Sequence, residues 1–431
     1  MRCRDPLPIP VQAEIIRACS DDDVRTLKRL LGEDKMVSNV LLHCDVLGLP
    51  YRANFGGFEF LTPLQLAAVC GSYKSVEVLL NNRAVVNFDV AKTNRYMYQP
   101  LYLALRSSRA ERERTEDYAT CLELLLDAGA DPSLGNERYY GSLLHLAMEF
   151  KLDPRILEVF LRNGAEINRK NGRQLTPLHL AVMAERDAES ELLYVSTLLK
   201  FRPKLNIKDN LGRTAIVIAA DYGLLGVVQL LYIHGANPNT VTKTNDTALH
   251  LSSKQGHVGI VHFLADKTRH INLCNCHGNT ALDLFVRKLP NVMSKGEYEK
   301  RPSRVTQCVQ TLLNHGATMT TLDADLVLPI LRHRNIVKFS STLRMLINSQ
   351  EFIDLYSIIT MEAEQWSEDW THMQMILFEQ LLSLGDGPRT LRHLCRCVIR
   401  RCLGKHCHRN ISLLPLPELL KSYLLLDLVI K

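Results

Sequence analysis

Three histidines share one local setting. His145, His179 and His250 each stand three residues after a Ser or Thr, namely Ser142, Thr176 and Thr247. Imidazole is the side chain best suited to moving protons near neutral pH, so each is a candidate general base. A catalytic base is needed once, beside a nucleophile and an orienting partner. Three equivalent copies instead imply a structural task, hydrogen bonding to the neighbouring segment. The cysteines raise the question of metal. Cys274-Asn275-Cys276-His277 gathers three ligand types in four residues, and Cys395, Cys397, Cys402 and Cys407 lie beside His406 and His408. Structural zinc needs four ligands converging on one point. On an ideal helix Cys395 and Cys397 point about 160° apart, which splits that set. The sequence contains no phosphate-binding glycine loop and no nucleophile elbow. The expectation is a chain without catalytic residues, metal or cofactor.

The elements that position these histidines repeat. Thr62-Pro63-Leu64-Gln65-Leu66-Ala67 recurs as Thr176-Pro177-Leu178-His179-Leu180-Ala181, and weaker copies begin at Gln99, Ser142, Thr214, Thr247 and Thr280. An apolar pair follows each copy, then often Gly-Ala, as at Gly129-Ala130, Gly164-Ala165, Gly235-Ala236 and Gly316-Ala317. Asn168, Asn206, Asn239 and Asn272 stand at one further position. Thr is a helix N-cap, and Pro is tolerated in a first turn, where its missing amide costs nothing. Leu and Ala at helical spacing give that helix an apolar side, and Gly suits the end of the next helix. Between units, stretches such as Asp209-Asn210-Leu211-Gly212-Arg213 have turn chemistry. One such unit cannot bury its own faces, so neighbours must stack.

These motifs resemble the ankyrin repeat over roughly residues 60 to 320. The resemblance implies an all-α solenoid of helix-turn-helix units with β-turn fingers. Residues 1–60 are then an N-terminal capping unit with a long finger, Gly32 to Leu61. Residues 61–350 hold the repeats, the last of them degenerate and beginning near Leu328-Pro329-Ile330, and 351–385 form a helical connector. Ala18 to Leu31 reads as second-helix register. Three units exceed the 33-residue period, and the excess is charged: Arg106 to Glu116, Glu185 to Glu191, and Arg287 to Arg304. Each is expected as a longer turn between the two helices of its unit.

Residues 386–426 have a different pattern. Thr390 can cap a helix in which Leu391, Cys395 and Ile399 recur every four residues, with Arg392, Arg396 and Arg400 on the adjoining face. Leu414-Pro415-Leu416-Pro417 must be extended, because alternating prolines cannot enter a helix interior. Both pieces, in this order, resemble a SOCS box. The resemblance implies that Leu391, Cys395 and Ile399 bind Elongin C, with Elongin B attached to it, and that Leu414, Pro415, Leu416 and Pro417 select Cullin-5 and its RING subunit. Proteins similar to this pairing of repeats and box are substrate adaptors of ubiquitin ligases and are not themselves catalysts. The array would hold the target, and Phe55 and Phe58, in the Gly32–Leu61 finger with Phe60, are candidate target contacts. The competing reading is an ankyrin scaffold whose tail only caps the array.

Composition agrees with a folded chain of 431 residues, 46% of them apolar. The net charge of +6 is carried by residues 386–426, which hold eight Lys and Arg against two acids. The array itself is therefore close to neutral, and nucleic acid is not an expected partner. Ala215 to Ala236 is the most apolar run. It is broken by Asp221, Gln229 and glycines, so a buried helix pair is expected there and not a membrane span. The first residues, Met1-Arg2-Cys3-Arg4-Asp5-Pro6, lack a leader pattern, and twelve scattered cysteines read as reduced thiols. The expected location is the cytoplasm, with the nucleus second.

Overall fold

Thr62 and its equivalents act first through the backbone. A computed structural model of the chain describes residues 7–33, 35–43, 60–87, 99–133, 135–136, 141–184, 188–295, 301–319, 330, 333, 336–349, 411–413 and 421. Within them, Thr62 Oγ1 accepts from the Gln65 amide at 3.3 Å while Gln65 Oε1 accepts from the Thr62 amide at 2.7 Å. The same reciprocal capping box recurs at Ser142, Thr176, Thr247 and Thr280. Each box starts the first helix of a pair.

The described residues form two compact units, divided after Lys204. In the first, the pairs are α1 (Ile9–Ser20) with α2 (Val24–Glu33), α3 (Pro63–Cys70) with α4 (Tyr73–Asn81), α5 (Pro100–Ser108) with α6 (Thr115–Asp127), α7 (Leu143–Glu149) with α8 (Pro154–Arg162), and α9 (Pro177–Met183) with α10 (Ala188–Lys200). In the second they are α11 (Ala215–Tyr222) with α12 (Leu225–Ile233), α13 (Ala248–Gln255) with α14 (Val258–Lys267), and α15 (Ala281–Met293) with α16 (Pro302–Asn314). A further helix, α17 (Ser340–Ser349), follows. Within each unit, first helices pack on first helices and second helices on second helices. Leu64, Leu79, Leu101, Leu122, Leu144, Ile216, Val228, Val261, Phe285 and Leu312 are at most 1% exposed and form the layers between repeats. These are the stacked helix pairs of an ankyrin solenoid. Two short antiparallel ladders accompany them: β1 (Leu42–His43) with β2 (Phe60–Leu61), and β3 (Gly135–Asn136) with β4 (Gly141–Ser142).

Ala18 to Leu31 holds the end of α1, a break at Asp21–Asp23 with Asp22 at φ 55°, and most of α2, the second helix of the N-terminal pair. One expectation requires correction. The charged insertions are not simply longer turns. Glu189 to Glu191 belong to α10, and Arg287 to Met293 extend α15 through Pro290. A proline inside a helix costs about 3 kcal/mol. Leu289, Val292 and Met293, all buried, each return about 1.5–3 kcal/mol. Burial therefore carries the helix past the proline.

The inserted segments fold back on the preceding repeat. The Tyr118 hydroxyl donates to the Val69 carbonyl at 2.9 Å, and Arg114 donates to the Cys70 carbonyl at 2.8 Å, which satisfies the end of α3. Gly71 holds φ +66° there, and a Cβ on it would meet the Tyr118 ring at 2.9 Å. Tyr194 donates in the same way to the Leu152 carbonyl. Val292 closes over Gly256, where φ is +74° and a Cβ would lie 2.5 Å from Cγ2.

Candidate functional site

The histidines are placed by the capping boxes and by the next repeat. The Ser142 amide donates to His145 Nδ1 at 3.1 Å, and the Ser142 hydroxyl lies 2.8 Å from the same nitrogen. An amide can only donate, so Nδ1 is the acceptor and the ring proton sits on Nε2. Nε2–H then donates to the Leu175 carbonyl of the next finger at 3.0 Å. His250 repeats this with Thr247 and with the Leu273 carbonyl at 2.8 Å, and His179 takes the Thr176 amide at 3.1 Å. Burial pushes the His145 pKa down to about 4, opposed by the bond to Leu175; His250 is lowered for the same reasons. His145 and His250 are neutral structural clamps at physiological pH, and His179 sits in the same capping-box setting, as three equivalent copies imply.

Asparagines join the fingers from repeat to repeat. In the first unit Asn39 Oδ1 accepts from the Val85 amide at 2.8 Å and Asn168 Oδ1 from the Lys204 amide at 2.8 Å. In the second, Asn206, Asn239 and Asn272 accept from the amides of Asn237, Arg269 and Thr318 at 2.9, 2.7 and 2.7 Å. Each finger is also locked internally. Asp209 Oδ1 accepts from the Leu211 and Arg213 amides, and its Oδ2 from Arg213 Nε at 2.9 Å. Asn275 Oδ1 accepts from the amides of His277 and Asn279. Neighbouring fingers pair through Lys243 N–H to the Leu211 carbonyl at 3.0 Å and Cys276 N–H to the Thr244 carbonyl at 2.9 Å.

The fingers and first helices of the second unit enclose a cleft of about 490 Å³. Its walls include Leu211, Lys243 and His277 from the fingers, and Leu251, Lys254 and Leu284 from the helices. Leu211 at the fingertip is 56% exposed. Such a cleft can hold a polypeptide segment. It contains no nucleophile with an adjacent orienting base of the kind covalent catalysis needs. Burial raises the thiols of Cys19, Cys121 and Cys308 far above their usual range, and that of Cys70 to about 11, so none is a thiolate at neutral pH. Among the described residues no three His, Cys, Asp or Glu side chains converge as metal ligands, and no helix is long and apolar enough to cross a membrane.

Leu391, Cys395, Ile399, Leu414, Pro415, Leu416, Pro417, Phe55 and Phe58 lie outside the described residues. Between the two box motifs, Ile411 is buried and Leu413 is 82% exposed. At the base of the long finger, Leu42 and Leu61 pair with their side chains buried, while Leu41 and Phe60 are exposed on the other face. Sequence reading missed the clamping tyrosines. An aromatic just after two of the charged insertions, Tyr118 beyond Glu116 and Tyr194 beyond Glu191, was the available signal.

Capped helix pairs, stacked by histidine and asparagine bonds to the next finger, define an ankyrin-repeat protein. The model for ankyrin repeats (3 copies) matches residues 144–242 and 217–292, and the model for the SOCS box matches residues 387–425. The chain thus carries ankyrin repeats and a SOCS box, and it is similar to proteins named for both. It is 36% identical over 28% of its length to Ankyrin repeat and SOCS box protein 18 of Homo sapiens, and 27% identical over 71% to Ankyrin repeat and SOCS box protein 16 of Mus musculus. It is also 30% identical over 51% of its length to the B-cell lymphoma 3 protein homolog of Mus musculus. These alignments span 24%, 64% and 47% of the relatives' own lengths, less than two thirds in each case. A crystal structure of the ankyrin repeat domain of Bcl-3 aligns with 52% of this chain and 93% of its own, at 28% identity and a TM-score of 0.43.

Proposed function

We propose that this chain is the substrate-recognition adaptor of an Elongin B/C–Cullin-5 RING ubiquitin ligase. The observation that carries the reading is a SOCS box at residues 387–425 in the same chain as ankyrin repeats. In this role Leu391, Cys395 and Ile399 enter Elongin C, which brings Elongin B, and Leu414-Pro415-Leu416-Pro417 selects Cullin-5 with its RING subunit. The repeats hold the target protein, with Phe55 and Phe58 adding contacts beside the exposed Phe60. The adaptor is not catalytic. It raises the effective concentration of target lysines at the charged conjugating enzyme, and proximity supplies the rate gain. Buried neutral histidines and unreactive thiols in the array accord with such a role. The proposed place of action is the cytoplasm, with the nucleus second.

The test is co-purification from cells with Leu391→Ala and Cys395→Ala introduced together. Truncating a buried anchor costs about 2–4 kcal/mol, or roughly 30- to 1000-fold in affinity. Elongins B and C should co-purify with the unaltered chain and not with the variant, while the array keeps its helical circular dichroism. Full Elongin capture by the folded double variant defeats the assignment.

A further inference from the structure

Solvent reaches the cysteines of the described residues unequally. Cys19, Cys121 and Cys308 are buried and Cys70 is half-buried, whereas Cys274 and Cys276 are exposed. Both exposed thiols stand on the finger before α15, in the run Cys274-Asn275-Cys276-His277. Asn275 between them is buried. Its Oδ1 accepts from the His277 and Asn279 amides, and its Nδ2 donates to Asp246 at 2.9 Å. Burial thus alternates along the run, with Asn275 inward and both cysteines outward. The backbone on either side is pinned to the preceding finger. Asn245 Nδ2 donates to the Cys274 carbonyl at 2.7 Å, and the Cys276 amide donates to the Thr244 carbonyl at 2.9 Å.

The two thiols are not equivalent. Cys276 Sγ lies 3.2 Å from His277 Nδ1, whereas Cys274 Sγ faces the Asn272 carbonyl at 3.8 Å. With its ring proton on Nε2, His277 accepts from the Cys276 thiol and serves as the base that takes its proton. Thiolate is the nucleophilic form of cysteine, and oxidation selects thiols that combine thiolate character with exposure. Cys274 is near enough to form a bridge. Residues two apart have Cα atoms no more than about 7 Å apart, and disulfides span about 4.4–6.8 Å. Metal is the competing use for such a run, but among the described residues no three His, Cys, Asp or Glu side chains converge as ligands.

We propose that Cys276 is a peroxide-reactive thiol and Cys274 its resolving partner. The Cys276 proton passes to His277 Nδ1, and the thiolate attacks one oxygen of hydrogen peroxide. The O–O bond breaks and a sulfenic acid forms at Cys276, while the departing hydroxide takes the proton back from the imidazolium as water. The Cys274 sulfur then attacks the Cys276 sulfur. The S–O bond breaks, and the leaving hydroxide takes the Cys274 proton to give a second water. Two thiols are oxidised by two electrons to one disulfide, and one peroxide is reduced to two waters. Cys276 lies outside the cleft wall, and each peroxide consumes the dithiol once, so the event is a modification and not turnover. A disulfide on an exposed fingertip is of the labile kind, so a thiol reductant restores the pair.

The experiment treats the purified full chain with hydrogen peroxide and reads it by peptide-resolved mass spectrometry. Trypsin releases His270 to Arg287 as one peptide holding both thiols. That peptide should lose two hydrogens with peroxide and regain them with dithiothreitol. Before oxidation, iodoacetamide should alkylate Cys276 faster than Cys274, and His277→Asn should slow the Cys276 reaction about tenfold. Cys274→Ser should stop at a sulfenic acid on Cys276 that dimedone labels, and Cys276→Ser should give neither label nor bridge. All three side chains are exposed, so an unchanged melting temperature separates lost reactivity from lost fold. Equal alkylation of the two thiols, a Cys276 rate indifferent to His277→Asn, or peroxide oxidation that spares this peptide would each overturn the proposal.

Discussion

Acidification should loosen the repeat that begins at Ser142 through a single imidazole. His145 is fully buried, its Nδ1 accepts from the Ser142 amide, and its pKa falls from 6.5 to about 4 because burial disfavours the cation. The folded state therefore binds fewer protons than the unfolded chain between these values. Stability from this group is whole above pH 6.5, declines as the pH falls, and is lost once the pH passes below about 4. The full linkage is about 3 kcal/mol, and moving from about pH 7.5 to about pH 5 should remove about 2 kcal/mol of it. His145→Gln is the control, because Gln65 already fills the same position after Thr62 with a 2.7 Å bond to the capping amide. Glutamine keeps the cap, does not titrate, and loses only the bond to the Leu175 carbonyl, about 1 kcal/mol at any pH. Urea unfolding of both proteins at the two pH values isolates the histidine, since His250 and all other groups cancel in the double difference. A double difference near 2 kcal/mol, with the wild type losing more on acidification, is expected. Equal losses in the two proteins would refute the burial argument for His145.

The clamps over the preceding repeat are equally open to test. Tyr118→Phe should cost about 1 kcal/mol in urea unfolding by orphaning the Val69 carbonyl, and Tyr118→Ala about 3–5 kcal/mol by leaving a cavity against Gly71; indistinguishable losses would show that the ring does not pack as described. Changing Leu414, Pro415, Leu416 and Pro417 to Ala should remove Cullin-5 from purified complexes and leave the Elongins bound; loss of both would make the segment structural. Phe55→Ser with Phe58→Ser should lower target ubiquitination at unchanged melting temperature, whereas a large fall in melting temperature would place the two rings in a packed lid.

Much of the fold was legible because its signals are local. A Thr that caps an amide three residues on, a Pro in the first turn and a polar turn between units act within four or five residues. Thr62, Thr176, Thr247 and Thr280 could therefore be placed without any tertiary information. Recurrence does the same for histidine: three copies in three capping boxes exclude a single catalytic base, and the bonds to Leu175 and Leu273 supply the reason. The Leu391 and Leu414 motifs of the box are recognisable in the same way, as short patterns in a fixed order.

Other features depend on which surface arrives from the next repeat. Glu185 to Glu191 and Arg287 to Arg304 are polar enough to read as turns, yet both contain helix, because Tyr194, Leu289, Val292 and Met293 have somewhere to be buried. The depression of the His145 pKa needs the same neighbour, since desolvation belongs to the packed array and not to the hexapeptide. The cleft shows the point most directly. Lys243 and Lys254 are unremarkable in sequence, lying in one finger and one helix. Stacking sets them in one cleft with Leu251, Leu284, Asp221 and Asp246. The sequence alone thus determined the repeat, its caps and its register, because hydrogen bonds between near neighbours encode them. Tertiary structure alone decided which side chains share a cleft and which are buried, because that depends on the surface the neighbouring repeat brings.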